Sequence, residues 1–256
     1  MTVSETSERR PAGCYIYAVA DAVELSGNTI DASGLEGAEV RSLEVDALAA
    51  VISDVYKRRL RPDRRSLSSH MGVIRQVMEQ ATVLPVSFGV VASSEDDVRR
   101  LLAKNQASFV DQLNHVRGKV EMGLRVLWDV PNVFEYFVNT RADLRSARDT
   151  IGDIREANRD EMIELGRFFE RVLGEERDRY VEQVASVLEG HGIAFVRGRV
   201  RAERDVMNLA CLVPRAELGE FDRVVGEAAS GFDNNFTFDV SGPWAPASFV
   251  DVTLET

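Results

Sequence analysis

The side chains able to do acid–base, nucleophilic or metal chemistry are present but scattered. The three histidines, His70, His115 and His191, lie far apart in sequence. None stands beside a cysteine or a carboxylate at metal-ligand spacing, so the pattern predicts no zinc site. His191 sits in Glu-Gly-His-Gly, which reads as a helix C-terminus, where a cation complements the dipole. The two cysteines, Cys14 and Cys211, fall in apolar strand-like runs. Their spacing offers no disulfide framework, and buried thiols are the expectation. No Gly-rich phosphate cradle, no GxSxG elbow and no Cys-His arrangement occurs. The carboxylates are many but mostly fall on helix faces, where i,i+4 pairing is their ordinary role. The residues therefore predict no catalytic group, no cofactor and no metal.

Two stretches are demanding in another way. Val83-Leu-Pro-Val-Ser-Phe-Gly-Val-Val91 places Leu84, Pro85, Phe88 and Gly89 together. Proline fixes φ, glycine allows a turn, and Phe88 offers a large area to bury. Ser241-Gly-Pro-Trp-Ala-Pro-Ala-Ser-Phe-Val250 places Gly242, Pro243, Trp244, Pro246 and Phe249 in one stiff segment. Stiffness lowers the entropy lost on ordering. Trp244 and Phe249 are then expected either to fill a core or inter-domain seam or to meet a partner. We read the segment as a lid that closes the last strand and folds back over an apolar seam.

The elements that must position these stretches follow from pattern. Residues 1–12 are polar and read as a disordered tail without the apolar region of a secretory signal. Residues 14–20 form a strand, residues 21–37 a loop, and residues 39–53 two short strands with a turn near 44–47, a helix from Ala47 being the competing reading. Residues 66–80 form a helix, since Leu67, Met71, Ile74, Val77 and Met78 recur at three and four. Residues 83–91 are β-like, with Pro85 confining them to a sheet edge or a bend. Ser94 caps the next helix, with Asp97 in the capping-box position, a break near 104–107, and Gly118 at its end. Residues 119–128 alternate as a strand. Residues 143–189 form a long helical stretch, interrupted near Gly174. Its sparse first part, 141–159, is expected to lie exposed, and its apolar second part, from Met162 on, to pack on a sheet. Strands at 193–197 and 206–213, a helix from Pro214 to about 230, and a strand at 235–240 follow. The expected fold is α+β in two domains: 13–118, and 119–256 with the ferredoxin-like order βαββαβ and a long first helix.

The chain of 256 residues carries a net charge of -11 and 45% hydrophobic residues. Its apolar content supports a core. Its acidity argues against a nucleic-acid binder, whose affinity needs clustered cations. The basic run Lys57, Arg58, Arg59, Arg61, Arg64 and Arg65 surrounds Pro62 and reads as a solvated loop. No apolar stretch approaches the length of a membrane helix.

In order and spacing these segments resemble the gas vesicle protein F/L family over nearly the whole chain. Cys14-Tyr-Ile-Tyr-Ala-Val resembles its first strand. His70 resembles the helix histidine that precedes its Leu-Pro-x-x-Phe-Gly signature, carried here by Leu84, Pro85, Phe88 and Gly89. Val120-Glu-Met-Gly-Leu-Arg-Val and Met207-Asn-Leu-Ala-Cys-Leu-Val resemble two later strands. Gly242-Pro-Trp-x-Pro-x-Ser-Phe resembles its closing motif. This chain departs from the family at Ser87, often basic there, and at Ala245 and Ala247, often Pro and Tyr there. The resemblance implies a non-enzymatic assembly or minor structural protein of the gas vesicle, within the cytoplasm. It implies a partner, the small hydrophobic shell protein, whose aggregation it would limit during nucleation, alongside other gas vesicle proteins. The reading that competes is a ferredoxin-like regulatory module that binds a small molecule between its domains.

Overall fold

The computed structural model describes residues 11–57, 59–151 and 159–252. The predicted tail falls almost entirely on residues 1–10, outside the described residues, as does part of the expected exposed arm. Two compact units are present, Met1–Glu121 with Pro243–Thr256, and Met122–Gly242. The closing segment from Pro243 on thus belongs to the first unit, whereas the sequence reading placed it with the second.

In the first unit, β1 (Gly13–Asp21) is an interior strand. It is buried almost throughout, because it has neighbours on both sides and is covered on its faces, and that explains its unbroken apolar run. β2 (Val40–Val45) and β3 (Leu48–Val55) form an antiparallel hairpin with Val45 opposite Leu48. The turn between them places Asp46 at φ 53, a left-handed conformation that aspartate tolerates better than most residues. β4 (Val83–Pro85) and the short β5 (Val91–Ala92) also pair antiparallel with β1. The strand order is β2-β3-β1-β4. Pro85 therefore sits on an edge strand, where its missing N–H costs no ladder bond.

The helices of this unit are α1 (Ala22–Leu25), α2 (Arg64–Gln80), α3 (Glu95–Lys104) and α4 (Gln106–Val116). Asp21 caps α1, a short helix that the sequence reading left within a loop. Asp63 caps α2 by accepting from the Ser66 N–H at 2.8 Å. Ser94 caps α3 through the Asp97 N–H at 3.2 Å, and its own hydroxyl donates to the Asp97 carboxylate at 3.0 Å. α3 stops at Lys104, and Gly118 turns the chain after α4 at φ 68. Both agree with the expected break and end.

In the second unit the strands are β6 (Lys119–Trp128, which begins in the first unit), β7 (Ala194–Arg197), β8 (Asp205–Pro214) and β9 (Phe236–Trp244, which ends in it). Their order is β7-β8-β6-β9, the same pattern as in the first sheet. The helices are α5 (Val133–Thr140), α6 (Ala142–Ile151), α7 (Arg159–Gly190) and α8 (Leu218–Ala229). The fold is thus a mixed α/β arrangement with two antiparallel sheets.

Two expectations are corrected here, and one helix is added. α7 runs without a break through Gly174, because Val172 and Leu173 beside it are fully buried and their packing outweighs the roughly 1 kcal/mol helix penalty of one glycine. Met162 and Ile163 at its start are 39% and 40% exposed instead of packed on a sheet. α5 was not anticipated, although Asn132 and Glu135 carry its cap signal: Asn132 accepts from the Glu135 N–H at 2.9 Å.

Candidate interaction site

The Leu84–Gly89 signature builds a buried polar node on β1. Leu84 is fully buried, and Pro85 pairs with Ala18 of β1. Phe88 is half-buried, and its ring lies 6.0 Å from that of Tyr15 and 5.7 Å from that of His70. Gly89 takes φ 98, which a side chain resists, and this aims its N–H at Tyr15 Oη, 3.1 Å away. Tyr15 Oη also meets His70 Nδ1 at 2.9 Å. Tyr17 Oη accepts from the Leu35 N–H at 2.8 Å and shares a hydrogen bond with Ser53 Oγ at 2.9 Å.

Electrostatics fix the state of this node. Burial pushes the Tyr15 hydroxyl up to about 12 and the Tyr17 hydroxyl up as well. Burial holds the His70 pKa below its ordinary value, opposed by a hydrogen bond to the Val86 backbone. A neutral imidazole fits this contact, with Nδ1 accepting from the Tyr15 hydroxyl. A buried neutral histidine between two protonated tyrosines is a structural clamp. It has no exposed acid or base to offer a substrate.

The other stretch lies at the surface. β9 runs on through Ser241, Gly242 and Pro243 to Trp244, beyond the strand end expected near residue 240. Its place at the sheet edge is what admits Pro243. Gly242 kinks the strand at φ 124. Trp244 is 43% exposed, so the expectation of a plug closing an apolar seam is corrected. Pro246 is buried and Phe249 half-buried. The tail beyond is tied down: Glu121 accepts from the Ser248 N–H at 2.7 Å and its hydroxyl at 3.0 Å, and the Gln112 amide exchanges hydrogen bonds with the Asp251 backbone at 2.6 and 3.0 Å.

α2 touches both stretches from different sides. His70 points into the node, while Met71, Arg75 and Met78 line a cleft closed by Pro243 and Trp244. The cleft has a volume of about 150 Å³, and every residue lining it belongs to the first unit. Leu67 and Met71 on the same helix are 39% and 48% exposed. This apolar surface is the arrangement best suited to holding another molecule. Neither α2 nor its exposed Met71 stood among the sequence candidates, because the spacing of Leu67 and Met71 marks a helix without saying which face is covered. The signal was their place one flank away from His70, Val73 and Val77.

Elsewhere the titratable groups serve structure. Cys14 and Cys211 are buried thiols outside any disulfide, and burial raises the pKa of Cys14. Asp205, 1% exposed, binds the Arg125 guanidinium and accepts from the Arg201 and Ala202 N–H groups, each at 2.9 Å. Burial alone would raise its pKa, but these partners hold it below the ordinary carboxylate value. In the loop before α2, Lys57, Arg59 and Arg61 are exposed, and Lys57 pairs with Glu36 at 3.0 Å. Among the described residues no group of three His, Cys, Asp or Glu is placed to hold a metal ion, and no helix is long and apolar enough to cross a membrane.

The fold and the signature positions now identify the lineage. A family model described as gas vesicle synthesis protein GvpL/GvpF matches residues 13–251, and the chain belongs to that family. It is 23% identical to gas vesicle protein F of Nostoc sp., over 94% of this chain and 99% of that protein. It is 28% identical to gas vesicle protein L of a Streptomyces species, over 73% of this chain and 69% of that one. The crystal structure of the gas vesicle protein GvpF from Anabaena sp. shares the fold with a TM-score of 0.77 at 22% identity, over 94% of this chain and 99% of that one.

Proposed function

We propose that this protein acts in gas vesicle assembly without catalysing a reaction, by binding the small hydrophobic shell protein and limiting its aggregation before nucleation. Membership of the family supports the setting. The observation that carries the binding role is the open apolar cleft beside Met71 and Trp244. A shell subunit with apolar surface and unpaired strand edges aggregates readily, and a partner that covers that surface delays it. A net charge of -11 keeps such a complex apart from its neighbours in solution. Ala245 lines the cleft where the family often carries proline, so the fit on that side is this chain's own.

The second unit we read as ferredoxin-like. The strand order β7-β8-β6-β9 and the placement of α7 and α8 between successive strands support it, with α5 and α6 as additions.

The test is co-expression of the tagged chain with a small gas vesicle shell protein. Co-elution of the two, with the shell protein remaining in solution at equimolar ratio, is expected. Clean separation, with the shell protein precipitating as it does alone, would refute the binding role.

A further inference from the structure

We infer that the α2–Trp244 cleft takes an amphipathic α-helix whose apolar face is flanked by carboxylates; this rests on the binding role proposed above and specifies its chemistry. On α2, residues Arg64, Ser68, Met71, Arg75 and Met78 recur at spacings of four, three, four and three, the seam spacing at which two helices interlock. At the centre of the seam Ser68 is small, and a Cβ built on the adjacent Gly72 meets nothing within 4 Å. A second helix can therefore come close. The cleft volume of about 150 Å³ admits a single leucine- or phenylalanine-sized anchor between the two methionines and the Trp244 ring. Methionine side chains adapt to such a knob at low cost.

Charge selects the flanks. α2 carries Arg64, Arg65 and Arg75 against one acid, Glu79, in a chain whose net charge is -11. On three other helices a surface arginine is satisfied locally: Arg99, Arg171 and Arg223 each pair with an acid of their own helix. Among the described residues, Arg64 and Arg75 have no carboxylate within ion-pair distance. They bracket Met71 along the seam, one turn or two to either side. A helix that presents a leucine to the cleft, with a glutamate about two turns to one side of it and one turn to the other, satisfies both.

The probe is a 14-residue helical peptide with leucine at its a and d positions and glutamate at e and g, titrated into the full chain. The readout is the emission of Trp244, which is 43% exposed, against a silent background from Trp128, which is fully buried. Binding with a blue shift is expected. Arg75→Glu should weaken it about tenfold, and the same peptide with lysine in place of glutamate should regain the loss against Arg75→Glu. Met71→Glu, an exposed position, should abolish binding of both. No Trp244 response to the acidic peptide, or equal affinity for the glutamate and lysine peptides, overturns the inference. So does a dimer of the free chain that disappears in Arg75→Glu, since the occupant is then a second copy. In the co-expression experiment, retention of the shell protein by wild type and by both variants alike overturns this site and leaves the binding role standing. Loss of retention in wild type sinks the binding role, and the peptide titration then decides the cleft by itself.

Discussion

Tyr17→Phe removes one oxygen from the buried node and leaves the ring. The ring keeps its packing against Tyr15 at 4.7 Å and His70 at 5.8 Å. Two partners lose their contact: the Leu35 N–H and the Ser53 hydroxyl, on residues 2% and 0% exposed. Water cannot replace the lost oxygen there. Each stranded buried group costs about 1–3 kcal/mol, and a rotatable hydroxyl lies at the low end, so the variant should lose about 2–4 kcal/mol. That is a large share of the roughly 5–15 kcal/mol a domain has in total. Tyr15→Phe should cost less, about 1–2 kcal/mol. It strands the buried Nδ1 of His70, but Gly89 is exposed and can pass its N–H to solvent.

Cys14 reports on this locally, because it lies in β1 next to Tyr15 and is 5% exposed. In a Cys211→Ala background, its labelling by a thiol reagent measures opening of the first unit alone. Where closing outpaces labelling, the rate follows the free energy of opening. A loss of 2–4 kcal/mol then accelerates labelling about thirtyfold to a thousandfold. Adding Ser53→Ala to Tyr17→Phe should recover part of the loss, since an apolar pair strands only the Leu35 N–H. An acceleration under threefold for Tyr17→Phe, or an effect as large for Tyr15→Phe, would refute the assignment of the node.

Three further outcomes follow from the same physics. Since burial lowers the His70 pKa in the folded state, the unfolded chain binds the extra proton as pH falls. The stability of the first unit should be full above about pH 6.5 and decline below it; a melting series across pH 5–8 should show this slope, and His70→Gln should flatten it. Asp205 has a lowered pKa, so its contribution is full above about pH 3.9 and is lost as pH falls through the depressed value. Asp205→Asn should cost about 1–3 kcal/mol in urea unfolding at neutral pH and little in strong acid, and an equal cost at both would contradict the ionised carboxylate. Trp244→Ala should cost only about 1–2 kcal/mol, well below the 3–5 kcal/mol of a buried tryptophan, because 43% of the residue is already in water; a larger loss in a thermal melt would mean the ring is core.

Local pattern carried most of the elements, because local physics decides them. The alternation of 119–128 and the apolar run of 14–20 match β6 and β1, and the Ser94 cap opens α3 as its chemistry requires. The failures were failures of context. Gly174 looked like a break only while its buried neighbours were unknown. Met162 looked like core because periodicity marks an apolar stripe without saying what covers it. The stiffness of Leu84–Gly89 was plain, but its purpose was not. The groups it serves, His70 and Tyr15, meet across 55 residues of chain, and Gly89 meets Tyr15 across 74. Stiffness in Ser241–Phe249 was equally plain, yet which unit it joins depends on bonds to Gln112 and Glu121 that no local pattern announces.

His70 and Met71 are successive residues on one helix and point about 100° apart. Whatever fixes the rotation of α2 about its axis therefore also fixes what the helix shows to solvent. The node does this with a directional bond between Tyr15 Oη and Nδ1 of the His70 ring. Apolar packing by Val73 and Val77 alone would tolerate a small roll of the helix, because it has no direction. A polar clamp does not tolerate it, since a misaligned buried hydrogen bond is a lost one. On our reading this gives the signature residues a role without chemistry of their own. Leu84, Pro85, Phe88 and Gly89 hold the clamp, the clamp sets the roll of α2, and the roll places Met71 and Arg75 opposite Trp244.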